Sequence, residues 1–119
     1  MNGYKIDTVA GTIRPITFDD LKGMQAIVGG YLEIATMFPN GDVLYVDEEG
    51  ARKDQTHGFY LGPDMQLFVG NGLLAGKSRA TTKSWTCRDP KTTLDELRAR
   101  VVPTVVERRL RPGRRPTAG

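Results

Sequence analysis

Residues 29–50, GGYLEIATMFPNGDVLYVDEEG, predict a β-hairpin, and this stretch decides the fold class. Residues 31–37 and 42–47 are rich in the aliphatic, aromatic and β-branched side chains that strands favour. Between them, Pro39 presets φ, and Asn40-Gly41 accepts the positive φ of a tight turn. Two antiparallel strands are therefore expected here.

A helix is predicted over residues 18–28, immediately before the hairpin. Thr17 and Asp20 have the spacing of a capping box. An apolar stripe at i, i+3 and i+7 begins at Leu21. The two glycines that open the hairpin sequence then end the helix, because glycine tolerates the left-handed conformation.

The remaining strands are predicted from short apolar or alternating runs. Residues 4–9 form a strand, and residues 10–15 form either a turn or a second strand. Residues 59–61 are a short apolar element. Residues 66–75 predict one strand that is interrupted at Gly70-Asn71-Gly72.

A second helix is predicted near the C-terminus. Thr93 and Glu96 form a stronger capping box than the first. Pro103 kinks or ends this helix, and residues 104–110 continue it for a turn or two. Residues 112–119, PGRRPTAG, predict a disordered basic tail.

The fold class predicted is α+β, in a single domain over residues 1–111. It has one antiparallel sheet of four or five strands, one helix packed on it and a C-terminal helix. The adjacent Val43 and Leu44 point to opposite faces of their strand. The sheet must therefore be covered on both faces, or by a second copy. The predicted core is Leu21, Met24, Val28, Leu32, Ile34, Val43, Leu44, Val46, Leu67, Val69, Leu97 and Val101.

Composition excludes several kinds of site. The 119 residues include one cysteine, Cys87, and one histidine, His57. The chain therefore has no internal disulfide, cysteine-based zinc cluster or two-histidine metal site. Without a long apolar run or a signal-like N-terminus, we expect a cytoplasmic protein with no membrane partner.

Charge is divided unevenly along the chain. Residues 1–76 hold 5 Lys and Arg against 10 Asp and Glu, whereas residues 77–119 hold 12 against 4. The basic half predicts contacts to nucleic-acid phosphates. The alternatives are a solvated helix face and attraction between the two halves. The candidate nucleic-acid contacts are Lys83, Trp85, Arg88, Arg108, Arg109 and Arg111.

The stretch GNGLLAGKS, residues 70–78, ends like a phosphate-binding loop. That loop requires glycine at position 71, where this chain has Asn71, and a helix after Ser78. The sequence RATTKSWTCRDP that follows carries no helical stripe. We therefore expect a strand rather than a nucleotide hydrolase, and keep Gly70, Asn71 and Gly72 as a possible nucleotide-binding backbone.

Other polar residues are weaker candidates for chemistry. Asp47, Glu48 and Glu49 could hold a divalent cation with Glu33, but a solvated turn explains them better. His57 has no evident nucleophile nearby. Cys87 lies beside cationic residues that would lower its pKa. We expect no catalytic residue, no metal and no cofactor.

The order GGYLEI, LYVDEEG and FVGNGLLAG resembles a small domain family of unknown function that phages, plasmids and related bacterial loci carry. The resemblance covers about residues 16–76, whereas residues 51–58 and the Arg-rich C-terminus depart from the pattern. The matching positions are Gly29, Gly30, Tyr31, Glu33, Asp47, Glu48, Glu49, Gly50, Gly70 and Asn71.

The resemblance implies a compact α+β domain of mobile-element origin and no established activity. The expected function is that of a non-enzymatic accessory protein that binds a host protein or a defence component. Tyr31, Glu33, Asp47 and Glu48 are its candidate contacts. The alternatives are nucleic-acid binding by the basic half and sequestration of a nucleotide. A homo-oligomer is also possible.

Overall fold

The structure is a computed structural model that describes residues 1–50, 56–80 and 85–106. Within them the chain forms ten strands and two helices. In chain order these are β1 (Asn2–Asp7), β2 (Thr12–Thr17), α1 (Leu21–Val28), β3 (Leu32–Met37), β4 (Val43–Asp47), β5 (His57–Leu61), β6 (Gln66–Val69), β7 (Gly72–Ala75), β8 (Ser78–Ala80), β9 (Trp85–Cys87), α2 (Leu94–Arg100) and β10 (Val101–Val105).

The strands form three antiparallel sheets. The main sheet has five strands in the order β2-β1-β7-β4-β3, so β7 lies at its centre. The second sheet has the order β10-β5-β6, and β8 pairs only with β9. The predicted α+β class and five-stranded antiparallel sheet are confirmed.

The main sheet is covered on both faces, as the neighbouring Val43 and Leu44 required. Val43 packs with Met24 of α1 in one buried cluster. Leu44 packs with Phe59 of the second sheet and Leu97 of α2 in the other. The molecule therefore has α1 on one side of the main sheet, and the second sheet with α2 on the other side.

The first helix begins later than the sequence predicted. Asp20 is its N-cap, and the Asp20 carboxylate accepts a hydrogen bond from the Gly23 N–H at 2.9 Å. Thr17 is the last residue of β2 instead. The chain is still extended at Phe18, because Phe18 exchanges backbone hydrogen bonds of 3.0 and 2.7 Å with Met1. A helix starting at Phe18 would lose this pairing.

Three of the predicted core residues are exposed. Leu21 lies in the first turn of α1, and Leu67 lies on the outer face of the second sheet. Ile34 lies on the edge strand β3, whose register shifts between Ile34 and Thr36. Periodicity shows that a position is apolar, but it does not show whether a second layer reaches that position.

The strand predicted over residues 66–75 is two strands in different sheets. β6 pairs with β5, whereas β7 pairs with β1 and β4. Gly70 has a φ of 93° and lies where the chain passes from one sheet to the other. The glycines therefore mark a crossing between layers rather than a bulge.

The second helix ends before Pro103, and no helical turn follows it within the described residues. Val101 has an extended backbone and begins β10, in which Pro103 pairs with Phe59. Proline is tolerated here because β10 is an edge strand. Thr104 and Val105 belong to this strand, which corrects the helical prediction for them. Residues 107–119, including the proposed tail, lie outside the described residues.

Candidate partner-binding cleft

An open cleft of about 330 Å³ lies at the C-terminal end of α1. Its lining is Gln25, Gly30, Tyr31, Asp47 and Glu49. Two of these, Tyr31 and Asp47, were predicted from the sequence as partner contacts. The structure thus joins the GGY motif before β3 to the DEEG motif after β4.

The end of α1 forms one wall of this cleft. Gly29 caps the helix with a φ of 93°, and the N–H groups of Gly29 and Gly30 both donate to the Gln25 carbonyl, at 2.8 and 3.1 Å. A helix C-terminus carries a partial negative charge. The wall therefore favours a cation.

Asp47 forms the floor of the cleft and is buried. One of its carboxylate oxygens accepts a hydrogen bond from the Glu49 N–H at 2.9 Å. The carboxylate also lies against the backbone of Gly30, where an added Cβ would be 2.5 Å from Oδ1. Position 30 therefore requires glycine as long as Asp47 holds this place.

The rim of the cleft is exposed and acidic. The Tyr31 side chain is 70% exposed, and its carbonyl accepts a hydrogen bond from the Glu48 N–H at 2.8 Å. The Glu48 and Glu49 side chains are exposed as well. Among the residues that the structure describes, none that lines the cleft is Lys or Arg. An aromatic ring beside carboxylates is suited to an ammonium or guanidinium group.

Glu33, the fourth predicted contact, is exposed but lies elsewhere. Leu32 pairs with Asp47, and Glu33 pairs with Val46, which is buried on the opposite face of the main sheet. Cross-strand partners share a face, so Glu33 and Asp47 point to opposite faces. Glu49 and Gln25 take part in the cleft instead. Glu49 was noted from the sequence only as part of the acidic run, and nothing local to a helix end singled out Gln25.

Gly70, Asn71 and Gly72 contact neighbouring segments of the chain. The Gly70 N–H donates to the His57 carbonyl at 2.8 Å, and the Asn71 side-chain oxygen accepts from the Thr8 N–H at 2.9 Å. A Cβ at Gly72 would be 3.0 Å from the Phe59 ring. Packing accounts for these residue types without a ligand, and nucleotide binding here stays a prediction.

The Gly76-Lys77-Ser78 sequence, which resembles the end of a phosphate-binding loop, lies at the junction of β7 and β8. Gly76 and Lys77 connect β7 to β8, so a strand rather than a helix begins at Ser78. The Gly76 N–H donates to the Arg88 carbonyl at 3.0 Å, and the Arg88 N–H donates to the Lys77 carbonyl at 3.0 Å. The glycine is present so that two chain segments can approach closely.

The predicted nucleic-acid contacts are only partly described. Arg88 is exposed beside the β8–β9 hairpin, close to the exposed Lys77 and Arg79. Trp85 is half-buried and packs against the cluster under α1, which leaves less of its ring for a base. Lys83, Arg108, Arg109 and Arg111 lie outside the described residues.

Cys87 is not an activated thiol. It is buried under α1, and burial raises its pKa. Burial also raises the pKa of the adjacent Tyr45, which hydrogen-bonds with Cys87. The pKa of the thiol is therefore raised, whereas the nearby cations were expected to lower it.

His57, the other candidate for chemistry, has its Nδ1 3.0 Å from the Thr56 hydroxyl.

A wider groove of about 640 Å³ was not predicted from the sequence. It is lined by parts of β1 and β2, including Tyr4 and Arg14, and by Asp89 and Pro90. Asn2 bridges the two sides through a 3.1 Å hydrogen bond to Asp89. The groove joins segments more than 70 residues apart, and no local pattern could show it.

Residues 1–50, 56–80 and 85–106 contain neither a metal-binding cluster nor a membrane-spanning helix. No group of three or more His, Cys, Asp and Glu there could hold a metal ion. No helix in that part of the chain is both long enough and apolar enough to cross a bilayer.

Comparison with known proteins identifies the family. No curated protein and no solved structure matches the chain. The model of the family described as Domain of unknown function (DUF3846) matches residues 1–97. This match includes the whole main sheet, α1 and the cleft, and it extends well beyond the motifs that first suggested a family. The chain belongs to the DUF3846 family.

Proposed function

We propose that this protein is a non-enzymatic interaction protein, and that it binds a basic segment of another protein in the cleft at the end of α1. The observation that carries the proposal is the 70% exposed Tyr31 beside the exposed carboxylate of Glu49. No catalytic residue or cofactor is part of it.

An arginine is the side chain that fits this cleft best. Its guanidinium can stack on the Tyr31 ring and donate two hydrogen bonds to a carboxylate such as Glu49. The negative end of α1 adds to the attraction. Because the rim is exposed, salt should weaken the binding.

The partner we propose is a host protein or a component of a host defence system, and the carrier is a phage or another mobile element. Support comes from the GGY, DEEG and GN motifs, which resemble those of domains carried by phages and plasmids. The GGY and DEEG motifs line the cleft, so part of the chain that carries the resemblance also carries the candidate binding surface.

Charge reversal at the cleft tests this function. We expect Glu49→Lys to reduce the amount of the bound partner about tenfold or more, because it opposes a cation where a carboxylate attracted one. Tyr31→Ala should act in the same direction. The measurement is a pull-down from bacterial lysate at low salt, with wild-type protein and both variants as baits, followed by quantitative mass spectrometry.

Asp64→Lys is the matched control, since Asp64 is an exposed acid in the turn between β5 and β6, outside the cleft. The proposal requires a protein that wild type and Asp64→Lys retain and that both cleft variants lose. Equal capture by all four baits, or no stoichiometric capture by any, would contradict it.

A second candidate function is nucleic-acid binding, favoured by the exposed Lys77, Arg79 and Arg88 around the β8–β9 hairpin. Truncation after Val106 removes five arginines. We expect it to weaken binding and to flatten the salt dependence, because fewer phosphates are neutralised. Fluorescence anisotropy with a labelled DNA duplex over a salt series measures both. Binding that is unchanged, or absent in both chains, removes this candidate.

A further inference from the structure

The outer face of the second sheet is a second candidate surface for binding a partner. Phe59, Leu61 and Val101 point from this sheet into the core. Their neighbours along β5, β6 and β10 therefore point outward. The register sets these outward residues in two rows across the three strands. The rows are Val102–Tyr60–Leu67 and Thr104–Gly58–Val69, and we call these six residues the outer face.

None of the six residues carries a charge, and the first row is entirely apolar or aromatic. Val102 is 48% exposed and Leu67 is 40% exposed. An antiparallel sheet that has one face in water usually alternates apolar residues inward with polar residues outward. This sheet lacks that alternation, so its outer face has the composition of a covered surface.

Val106 covers part of the second row, because its Cγ2 would lie 3.2 Å from a Cβ at Gly58, but the rest of the chain has little with which to cover the first row. Residues 51–55, 81–84 and 107–119 contain one large apolar side chain among them, that of Leu110. Their other residues are mostly charged, polar or small. A nucleic acid is equally unsuited, because the face offers no cation to a phosphate. The occupant must itself bring an uncharged, apolar surface.

We propose that the outer face is a homodimer interface, in which the second sheets of two copies pack face to face. A twofold axis pairs a surface with itself, so an uncharged face meets an uncharged face. Homodimer interfaces are more apolar than other protein surfaces. Stacked sheets lie about 10 Å apart, which lets the Val102–Tyr60–Leu67 rows interdigitate.

The dimer should be a weak one. Three strands of four or five residues present a face of roughly 15 by 16 Å. This is well below the ~800 Å² that each partner of a standard interface buries. We therefore expect mostly monomer at about 1 µM and a rising share of dimer by about 200 µM.

The first measurement is the sedimentation of the full-length protein across this concentration range. The monomer mass is 13.1 kDa, and we expect the average mass to rise measurably above this value at the high end. A mass that stays at the monomer value up to about 1 mM would overturn the proposal.

Two variants locate the interface. Val102→Glu places a charge in the outer face and should shift the monomer–dimer midpoint at least tenfold upward in concentration. Val105→Glu is the matched control, because Val105 lies on the same strand, pairs with His57 on the opposite face and is 71% exposed. Both sites are exposed, so both variants should fold, as circular dichroism will check.

Association that Val102→Glu leaves unchanged would overturn the assignment of the face, as would equal loss in both variants. Glu49→Lys should leave the midpoint as it is in wild type. The proposal of a dimer and the proposal of a binding cleft are therefore tested independently of each other.

Discussion

Asp42→Ala is expected to lower the free energy of unfolding by about 3–5 kcal/mol. The Asp42 carboxylate is buried, and its two oxygens accept hydrogen bonds from the N–H groups of Lys91 and Thr92, at 3.0 and 2.7 Å. It thereby ties the turn of the β3–β4 hairpin to the segment that leads into α2. Alanine would leave both N–H groups without their acceptor inside the protein.

A loss of this size is a large part of the ~5–15 kcal/mol that stabilises a domain. Urea unfolding, followed by circular dichroism and Trp85 fluorescence, measures it. Asp89→Ala is the control from the same segment, because Asp89 is exposed and its bond to Asn2 is at the surface. We expect it to change stability by less than about 0.5 kcal/mol. Equal midpoints for the two variants would contradict the role given to Asp42.

Gly76→Ala should cost about 3 kcal/mol or more, through overlap of backbone atoms. A Cβ at this position would meet the carbonyl oxygens of Arg88 and Asp89, the second of these at 2.5 Å. Relief requires the β7–β8 junction to separate from the segment after β9. The hydrogen bonds that Gly76 and Arg88 make across this contact would then lengthen.

Gly62→Ala is the matched control for this substitution. The nearest atom to a Cβ at Gly62 is the Arg100 carbonyl oxygen at 3.6 Å, an ordinary contact. Both substitutions reduce the freedom of the unfolded chain alike, so the difference between them is steric. Thermal and urea unfolding of the pair measure it. If Gly76→Ala were as stable as Gly62→Ala, the close approach at Gly76 would be wrong.

Some residues of the candidate site could be predicted from the sequence, and others could not. Tyr31 and Asp47 were both predicted as partner contacts, and the structure places them in one cleft. Their contact with Gln25 depends on where α1 ends above the sheet. Glu33 was predicted as a contact together with them, but the register of β3 with β4 places it on the face opposite Asp47.

Asp42 is a second residue whose environment could not be predicted from the sequence. The sequence shows it as the first polar residue after a turn, a position where aspartate is common. Its burial follows from the arrival of residues 91–92, almost fifty positions later in the chain. No local pattern distinguishes a turn aspartate that faces water from one that another segment covers.

The sequence by itself determined the elements whose hydrogen bonds close within a few residues. The Asn40-Gly41 turn, the Thr93–Glu96 capping box and the glycine stop of α1 are of this kind, because local φ, ψ and side-chain chemistry decide them. The adjacent apolar residues of β4 also required a sheet covered on both faces.

Only the tertiary structure decided which strands share a sheet. β7 follows β6 after two residues, yet it lies at the centre of the main sheet, where Ala75 pairs with Gly3. Such pairings join distant segments, and they are selected by which arrangement buries both faces of β4 and β7 at once. The cleft, the groove and the outer face follow from that arrangement, because each is formed by residues that only the packing of layers brings together.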